Sequence, residues 1–348
     1  MLHEIKNKIE RELLYYARLN IKQFYSLSRL SPLLYKHIKE FIICPGKRAR
    51  PILFIIAYLG FAKKQSKGLY KSAVALELFH DYMLIHDDII DKSETRRGKL
   101  SMHAALDKWL NRYKNSKISG QDLAIAAGDV MHSLAIDVFL SVKENIRRKE
   151  MALKKLLRSG VNTASGEFIE LLYSLKSINK ITKDDIYKVY DLKTANYTFA
   201  SPLSIGATLA GAKKRDINNL FNYGTYLGRA FQIKDDILGI FGKEGETGKS
   251  NLTDLREGKK TILIWQAYRS SNRKNKLVIE KILVKKNIIR KDLKRIQKII
   301  KLSGALSFAK KEVAKLISGA QKYLKNSSMR PEYKNLLNKY AQELLNLL

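Results

Sequence analysis

Cysteine and proline are scarce in this sequence. Cys44 is the single cysteine among 348 residues, which excludes a disulfide within the chain. Five prolines and 19 scattered glycines form no spacer or low-complexity tract, so no linker between domains is evident. We therefore predict a single domain over residues 1–348, although length alone is also compatible with two.

Long apolar stretches are missing as well. The longest, near residues 52–60, is far shorter than the roughly 20 residues that a membrane-spanning helix needs. The N-terminal segment is charged and lacks the apolar core of a signal peptide. Together with the single cysteine, these features predict a cytoplasmic protein.

Acidic residues are outnumbered two to one by basic residues. The 66 lysines and arginines against 33 aspartates and glutamates give a net charge of +33. Nucleic acid, an anionic membrane surface and phosphorylated small molecules all suit such a charge, and a compositional bias of the genome explains it equally well. The most basic stretch, Arg273 to Lys301, fits either a solvated helix face or a peripheral membrane contact.

Helical periodicity dominates the chain. Apolar residues recur three and four apart, as in Ala73, Leu76, Phe79 and Met83, which predicts an all-α fold. No alternating run flanked by turn residues suggests a sheet. Prolines are expected at helix boundaries or kinks, namely Pro32, Pro45, Pro202 and Pro331. Glycines within helical patterns predict close packing, namely Gly128, Gly166, Gly224 and Gly228.

The first acidic motif is His86-Asp87-Asp88-Ile89-Ile90-Asp91. Residues four apart lie on one helix face, so Asp87 and Asp91 project together. Carboxylates this close repel one another unless a cation neutralises them, and their hard oxygen atoms suit Mg²⁺. A solvated acidic helix end is the simpler interpretation. The apolar residues that precede the motif favour a cavity mouth instead.

A second acidic motif, Asp235-Asp236-Ile237-Leu238-Gly239, also ends an apolar helix. Two facing acidic clusters would hold several Mg²⁺ ions around one diphosphate leaving group. Cations adjoin both motifs, and Arg and Lys are the residues that bind phosphate. Each alone is ordinary surface charge, but their positions indicate diphosphate sites: Lys47, Arg50, Arg96, Arg97, Lys193, Lys249 and Lys259. No Walker loop, Gly-x-Ser-x-Gly elbow or His-Glu-x-x-His motif is present.

These residues resemble the trans-isoprenyl diphosphate synthases of the polyprenyl synthetase family, and in particular the archaeal-type geranylgeranyl diphosphate synthases. The resemblance covers roughly residues 46–261. Two aspartate-rich motifs with cations in this order are highly specific. The matching segments are GKRARP (46–51), HDDIIDKSETRRG (86–98), GD (128–129), KT (193–194), FQIKDDILGIFG (231–242), GK (248–249), D (254) and GKKT (258–261).

The resemblance implies a helical bundle around a central cavity, the isoprenoid synthase fold, usually as a homodimer. It implies Mg²⁺-dependent condensation of isopentenyl diphosphate with an allylic diphosphate. Two or three Mg²⁺ ions would be bound by Asp87, Asp91 and Asp235, with Asp88, Asp236 and Lys193 also catalytic. Isopentenyl diphosphate would contact Lys47, Arg50, His80 and Arg97. The allylic diphosphate would contact Arg96, Lys193, Thr194, Gln232, Lys249 and Lys259.

Three positions depart from the family pattern. Gly239 stands where many members carry a third aspartate. Glu167 and Glu170 stand where the family often has glutamine and aspartate, and the extra charge at Glu167 would affect the placement of metal or water.

Product length is expected to depend on residues before the first motif. Met83, Tyr82 and Phe79 lie four, five and eight positions before Asp87 and point broadly toward one side of the helix. An aromatic ring there would block a growing chain. The resemblance favours a C20 product, with C15 or a mixture next. Simple core packing is the alternative role for these rings.

Three rival functions stay open at this point. A terpene cyclase or head-to-head synthase would not need the isopentenyl diphosphate residues. A basic nucleic-acid or membrane-binding module would place its cations in one stripe, whereas here they flank the acids, so no nucleic-acid partner is predicted. A non-catalytic subunit is disfavoured by the intact first motif.

Overall fold

A computed structural model describes residues 1–20, 27–113, 115–242 and 251–346. The regular elements in these ranges are helices, joined by turns and loops, and one short hairpin. The all-α prediction is confirmed. The predicted phosphate ligand Lys249 lies outside the described residues. The first half comprises α1 Leu2–Tyr15, a π-helical turn Tyr16–Asn20, α2 Ser31–Ile42, α3 Ala49–Phe61, α4 Leu69–Ile90, β1 Thr95–Arg96, β2 Lys99–Leu100, α5 Met102–Leu110 and α6 Gly120–Phe139.

The second half continues the helical architecture. Prolines begin helices as predicted, since Pro32, Pro202 and Pro331 each lie in the first turn of a helix, where a missing N–H costs nothing. The elements are α7 Ile146–Leu175, a 3₁₀ turn Ile178–Lys180, α8 Lys183–Tyr190, a π segment Asp191–Ala200, α9 Ser201–Leu209, α10 Lys214–Phe241, α11 Thr253–Arg256, α12 Ile262–Arg269, α13 Arg273–Leu283, α14 Arg290–Leu302, α15 Ala305–Lys325 and α16 Pro331–Asn346.

Helix α4 is central to the molecule. Residues 72–79 are buried without interruption, which is the pattern of a helix covered on all sides, and α4 packs extensively against α6. The helix ends at the first acidic motif, where the Asp91 N–H donates to the Asp87 carbonyl at 2.8 Å. Carboxylates at a helix C-terminus face the negative end of its dipole, so this arrangement calls for nearby cations.

The hairpin after α4 was not predicted, because two strands of two residues are too short to show alternation. Arg96 pairs with Lys99, and the turn residues Arg97 and Gly98 have φ angles of 52° and 75°. Two successive positive φ values are typical of a type I′ turn. The hairpin thus directs two neighbouring arginines back toward the end of α4.

The π segment lies between α7 and α10 and packs against both. Two glycines allow its backbone to come close. A Cβ atom at Gly166 would lie 2.9 Å from the Lys193 nitrogen, and one at Gly228 would lie 2.4 Å from the Ala195 Cα. The predicted close packing is therefore confirmed at these positions. Wide helical turns of this kind are frequent at functional sites, and this one carries Lys193 and Thr194.

Helix α10 ends in the second acidic motif and packs on the π segment and α15. Among the described residues, none of the helices combines the length and the apolar character that a bilayer crossing requires.

Candidate active site

Both acidic motifs line one cavity of about 170 Å³. Asp87 and Asp91 from α4 share it with Asp235 and Asp236 from α10. A wider opening of about 880 Å³ adjoins it and shares Asp91, Glu170 and Lys259. Sequence-predicted residues that line the smaller cavity are Asp87, Asp91, Lys193, Thr194, Gln232, Asp235, Asp236 and Lys259.

Three carboxylates form what we call the carboxylate cluster: Asp87, Asp91 and Glu167. One oxygen atom from each lies within 4.8 Å of the others. Burial, together with the charge of Asp87, raises the pKa of Asp91 to about 7. A divalent cation would offset both the burial of the charged form and the repulsion from Asp87, and carboxylate oxygens are the ligands that Mg²⁺ prefers. The residues therefore fit a divalent metal.

Lys193 lies against the carboxylate cluster from the π segment. Its Nζ atom is 2.8 Å from Glu170 and 3.8 Å from Asp87, and it also contacts Glu167. Burial opposes the charged form, but Glu170 and the other carboxylates outweigh it and raise the pKa of Lys193. Lys193 is therefore a permanent cation beside the carboxylates.

Asp88 and Arg96 form a buried pair behind the cluster. The Asp88 side chain is 0% exposed, and Arg96 Nε donates to it at 2.9 Å. Arg96 Nη2 also donates to Asp87 at 3.2 Å. The hairpin arginine thus holds the end of α4, and Asp88 lies behind the carboxylate cluster and does not line the smaller cavity.

A hydrogen-bonded chain runs through the second acidic motif. Thr194 donates to the Gln232 side-chain oxygen at 2.7 Å, and the Gln232 amide donates to Asp236 at 3.0 Å. Tyr190 also donates to Asp236 and accepts from the Ile262 N–H at 2.9 Å. Burial raises the pKa of Asp236 well above its ordinary value. These bonds fix the orientation of Gln232 at the cavity wall.

Gly239, the departure from the three-aspartate pattern, leaves room for another carboxylate. A Cβ atom at this position would lie 2.3 Å from Asp254 Oδ2, and Asp254 lines the same cavity. Lys259 lies 3.8 Å from Asp254 and 2.5 Å from Glu257. Asp254 therefore occupies space that a side chain at position 239 would otherwise fill.

The four residues predicted to contact isopentenyl diphosphate, Lys47, Arg50, His80 and Arg97, line neither of the two cavities. Arg50 and His80 both lie against the Tyr197 ring. We call Arg48, Arg50 and Arg97 the arginine cluster. Arg50 donates to Thr198 at 2.7 Å, and its guanidinium lies 4.3 Å from the centre of the Tyr197 ring. Burial, followed by the charge of Arg50, lowers the pKa of His80 well below its ordinary value, which keeps that ring neutral. Lys47 lies 5.7 Å from the Phe231 ring.

Two buried acids lie beneath the arginine cluster. Glu77 accepts from Arg48 Nη1 at 2.6 Å. Asp81 is 0% exposed, and neither of its carboxylate oxygens has a hydrogen-bond partner among the described residues. Arg97 lies 3.7 Å from Asp81 and 3.9 Å from Glu77. The guanidinium of Arg97 is thus held from behind by two carboxylates.

The rings proposed to limit product length form a packed group. The Phe79 and Tyr82 ring centres are 5.0 Å apart, and Tyr82 lies 4.8 Å from His132 of α6. A Cβ atom at Gly160 of α7 would lie 2.7 Å from Phe79 and 3.6 Å from Met83. These residues line neither of the two cavities described above, so their role stays a prediction.

Several residues of the site were missed by sequence reasoning. Tyr190, Asp81 and His132 carry no motif signal of their own, and each acquires its position through packing. Asp254 was among the residues that carry the resemblance, but it was given no role. Asp81 offered one clue, because it directly follows His80, which was predicted to contact isopentenyl diphosphate.

The comparisons with known proteins identify the family. Residues 31–301 match the family described as polyprenyl synthetase. A geranylgeranyl diphosphate synthase of Sulfolobus acidocaldarius is 31% identical over 85% of this chain and 83% of its own. A geranylfarnesyl diphosphate synthase of Aeropyrum pernix is 31% identical over 84% and 87%.

Solved structures give the same result. The crystal structure of a geranylgeranyl pyrophosphate synthase from Corynebacterium glutamicum, complexed with isoprenyl diphosphate and magnesium, superposes with a TM-score of 0.89 at 25% identity and covers all of both chains. The chain belongs to the polyprenyl synthetase family. It is a prenyltransferase that makes short-chain prenyl diphosphates.

Proposed function

We propose that this enzyme condenses isopentenyl diphosphate with an allylic diphosphate to give chiefly geranylgeranyl diphosphate (C20). The observation that carries the proposal is the shared cavity, in which the two acidic motifs lie opposite each other together with Lys193 and Lys259. Such a site suits a diphosphate that is bound through metal ions on one side and fixed cations on the other.

In this proposal two or three Mg²⁺ ions are held by Asp87 and Asp91 on one side and Asp235 on the other. Bound there, Mg²⁺ would supply positive charge to the oxygens of the departing diphosphate. Lys193 and Lys259 contribute charge that is already in place when the C–O bond breaks, which is the efficient form of electrostatic catalysis. Lys249 is proposed to act with them.

The remaining residues orient the two substrates. Gln232 and Thr194, locked together by their hydrogen bond, present polar oxygens toward the carbon that becomes positively charged. Lys47, Arg50, His80 and Arg97 bind isopentenyl diphosphate, whose double bond attacks that carbon. The proton that is then lost passes to the released diphosphate, so no dedicated general base is needed.

The C20 assignment rests on the packed rings of Phe79 and Tyr82 below the first motif. Together with His132 they would form a floor that stops elongation. The relatives named above include both geranylgeranyl and geranylfarnesyl diphosphate synthases. A C15 product or a C15/C20 mixture is the alternative.

The test is a product assay. Purified protein is incubated with labelled isopentenyl diphosphate, Mg²⁺ and each starter in turn (dimethylallyl, geranyl or farnesyl diphosphate), and the dephosphorylated products are sized by chromatography. We expect mainly C20 alcohol. Mainly C15 or mainly C25 alcohol would contradict the proposed length, and no condensation with any starter would contradict the reaction.

A homodimer is also proposed. Helix α7 exposes Phe168 (65%), Leu172 (47%) and Leu175 (82%), which lie on one face because they are spaced four and three apart. A contiguous apolar face on a helix is typical of an interface. Analytical ultracentrifugation should give twice the chain mass of 39.9 kDa, and Phe168→Glu should shift the protein toward monomer.

We further propose a peripheral contact with anionic membranes through α13 and α14. Apolar Val284 (78% exposed) and Leu302 (72% exposed) flank the outward lysines and arginines of α14. Cosedimentation with anionic vesicles, but not with neutral ones, would support this contact. A cytoplasmic location and the single-domain organisation stay predictions.

A further inference from the structure

Glu167 lies at the proposed metal site although it belongs to neither aspartate-rich motif. It projects from α7, whereas Asp87 and Asp91 project from α4. One Glu167 oxygen nevertheless lies within 4.8 Å of an oxygen from each aspartate. The Glu167 side chain is 15% exposed and the Asp87 side chain 25%. Glu167 lines the wider opening, Asp87 lines the smaller cavity, and Asp91 lines both, so the three carboxylates lie where the two spaces adjoin.

The contact between Glu167 and Lys193 does not by itself account for this position. Lys193 also lies 2.8 Å from Glu170 and 3.8 Å from Asp87. The Lys193 ammonium group is therefore shared among three carboxylates. Asp87 has a second cation in Arg96, at 3.2 Å, whereas among the described residues the ion pair of Glu167 is with Lys193 alone. A buried carboxylate that is only partly compensated is costly, and a divalent ion between Glu167 and the two aspartates would remove that cost.

We propose that Glu167 is a third carboxylate ligand of the cation that Asp87 and Asp91 hold. This inference rests on the proposed metal site and extends it to a residue that departs from the family pattern. Cation affinity rises with the number of charged ligands. The first metal site of this chain should therefore bind its ion more tightly than a site with glutamine at the same position.

Glu170 provides a matched control. It belongs to the same helix and contacts the same lysine, but it is not part of the carboxylate cluster. Glu167→Gln and Glu170→Gln each remove one negative charge beside Lys193 with almost no change in side-chain volume. Only Glu167→Gln should remove a ligand.

The experiment is a Mn²⁺ titration in the presence of inorganic diphosphate, with free Mn²⁺ measured by electron paramagnetic resonance. For Glu167→Gln we expect the affinity of the tightest site to fall about tenfold. For Glu170→Gln we expect a clearly smaller loss than for Glu167→Gln, because the Glu170 carboxylate lies outside the carboxylate cluster. Thermal unfolding of each metal-free variant checks that it is folded.

An unchanged affinity in Glu167→Gln would overturn the inference, and so would equal losses in both variants, because the effect would then act through Lys193. Asp87→Asn separates this inference from the proposed function. If Asp87→Asn also left Mn²⁺ binding unchanged, the metal site itself would be wrong. If only Asp87→Asn weakened binding, the metal site would stand and Glu167 would not be a ligand.

Discussion

The carboxylate cluster and the arginine cluster each crowd like charges together, but they balance them in opposite ways. Beneath the arginines, Glu77 and Asp81 are 2% and 0% exposed and belong to the core. Glu77 is the counter-charge of Arg48, whereas burial and the charge of Glu77 raise the pKa of Asp81 well above its ordinary value. In the carboxylate cluster, the Asp87 side chain is 25% exposed and lines a cavity. The arginine cluster is therefore held by carboxyl groups of the core. The carboxylate cluster has Lys193 and Arg96 as fixed cations, and the proposed divalent ion would add the exchangeable part of its counter-charge.

The largest loss of activity is expected from a substitution in the carboxylate cluster. We expect Asp87→Asn to lower kcat by roughly 10²–10³-fold, because a metal ligand that acts on the leaving diphosphate is lost. The change in melting temperature should be small, since Asp87 is partly exposed. Steady-state kinetics at saturating Mg²⁺ measures the loss. The control is Glu150→Gln, on the exposed face of α7, which should leave kcat unchanged. A near-normal kcat in Asp87→Asn would contradict the proposed role of Asp87 as a metal ligand.

A smaller effect, on substrate binding, is expected from a substitution beneath the arginine cluster. Asp81→Asn should weaken the hold on Arg97 and raise the KM for isopentenyl diphosphate by about fivefold, which corresponds to about 1 kcal/mol. The KM for the allylic substrate and kcat should change little. The control is Asp216→Asn, since Asp216 is another buried acid and accepts a hydrogen bond from Ser328. This variant should lower stability without a selective rise in the KM for isopentenyl diphosphate. Equal changes in both KM values would argue against a positioning role.

The third effect concerns the products and not the rate. Tyr82→Ala should open space beside Phe79 and His132 and shift the distribution toward longer chains, as read by chromatography of dephosphorylated products. Tyr323→Ala removes a comparable ring, 5.5 Å from Tyr226, on a distant helix and should leave the distribution unchanged. The same product distribution in Tyr82→Ala and the wild type would show that Tyr82 does not limit product length.

The smallest effect is a pH dependence of stability without metal. The folded-state pKa of Asp91, about 7, lies above its ordinary value of 3.8. The folded protein therefore binds more protons than the unfolded chain between these values, and this group makes stability fall as pH rises through that window. In EDTA, Asp91→Asn should raise the melting temperature relative to wild type by about 1–3 °C more at pH 8 than at pH 4. Calorimetry at both pH values measures these melting temperatures, and Asp184→Asn, at an exposed position, is the control. A melting-temperature difference between Asp91→Asn and wild type that does not change with pH would contradict this prediction.

Local spacing predicted part of this site from the sequence alone. Asp87 and Asp91 share a helix face because they are four residues apart, and that rule needs no tertiary information. Glu167 reaches the same point only because α4 and α7 bring distant parts of the chain together. The burial of Asp81 and the placement of Asp254 beside Gly239 likewise depend on packing between elements, which periodicity does not encode.

The hairpin after α4 is another feature that the sequence alone did not predict. Its strands are too short to display an alternating pattern, yet its turn sets the direction of Arg96 and Arg97. The sequence identified these arginines by their resemblance to a motif. Their different partners, Asp88 for Arg96 and the buried acids for Arg97, became visible only in the structure.

Anomalous diffraction from crystals grown with Mn²⁺ and an unreactive allylic diphosphate analogue would show whether metal ions join the diphosphate to both acidic motifs. We expect manganese peaks between the diphosphate and the carboxylates of Asp87 and Asp91, and a further peak at Asp235. A diphosphate bound in this cavity without manganese at either motif, or manganese found only elsewhere, would contradict it.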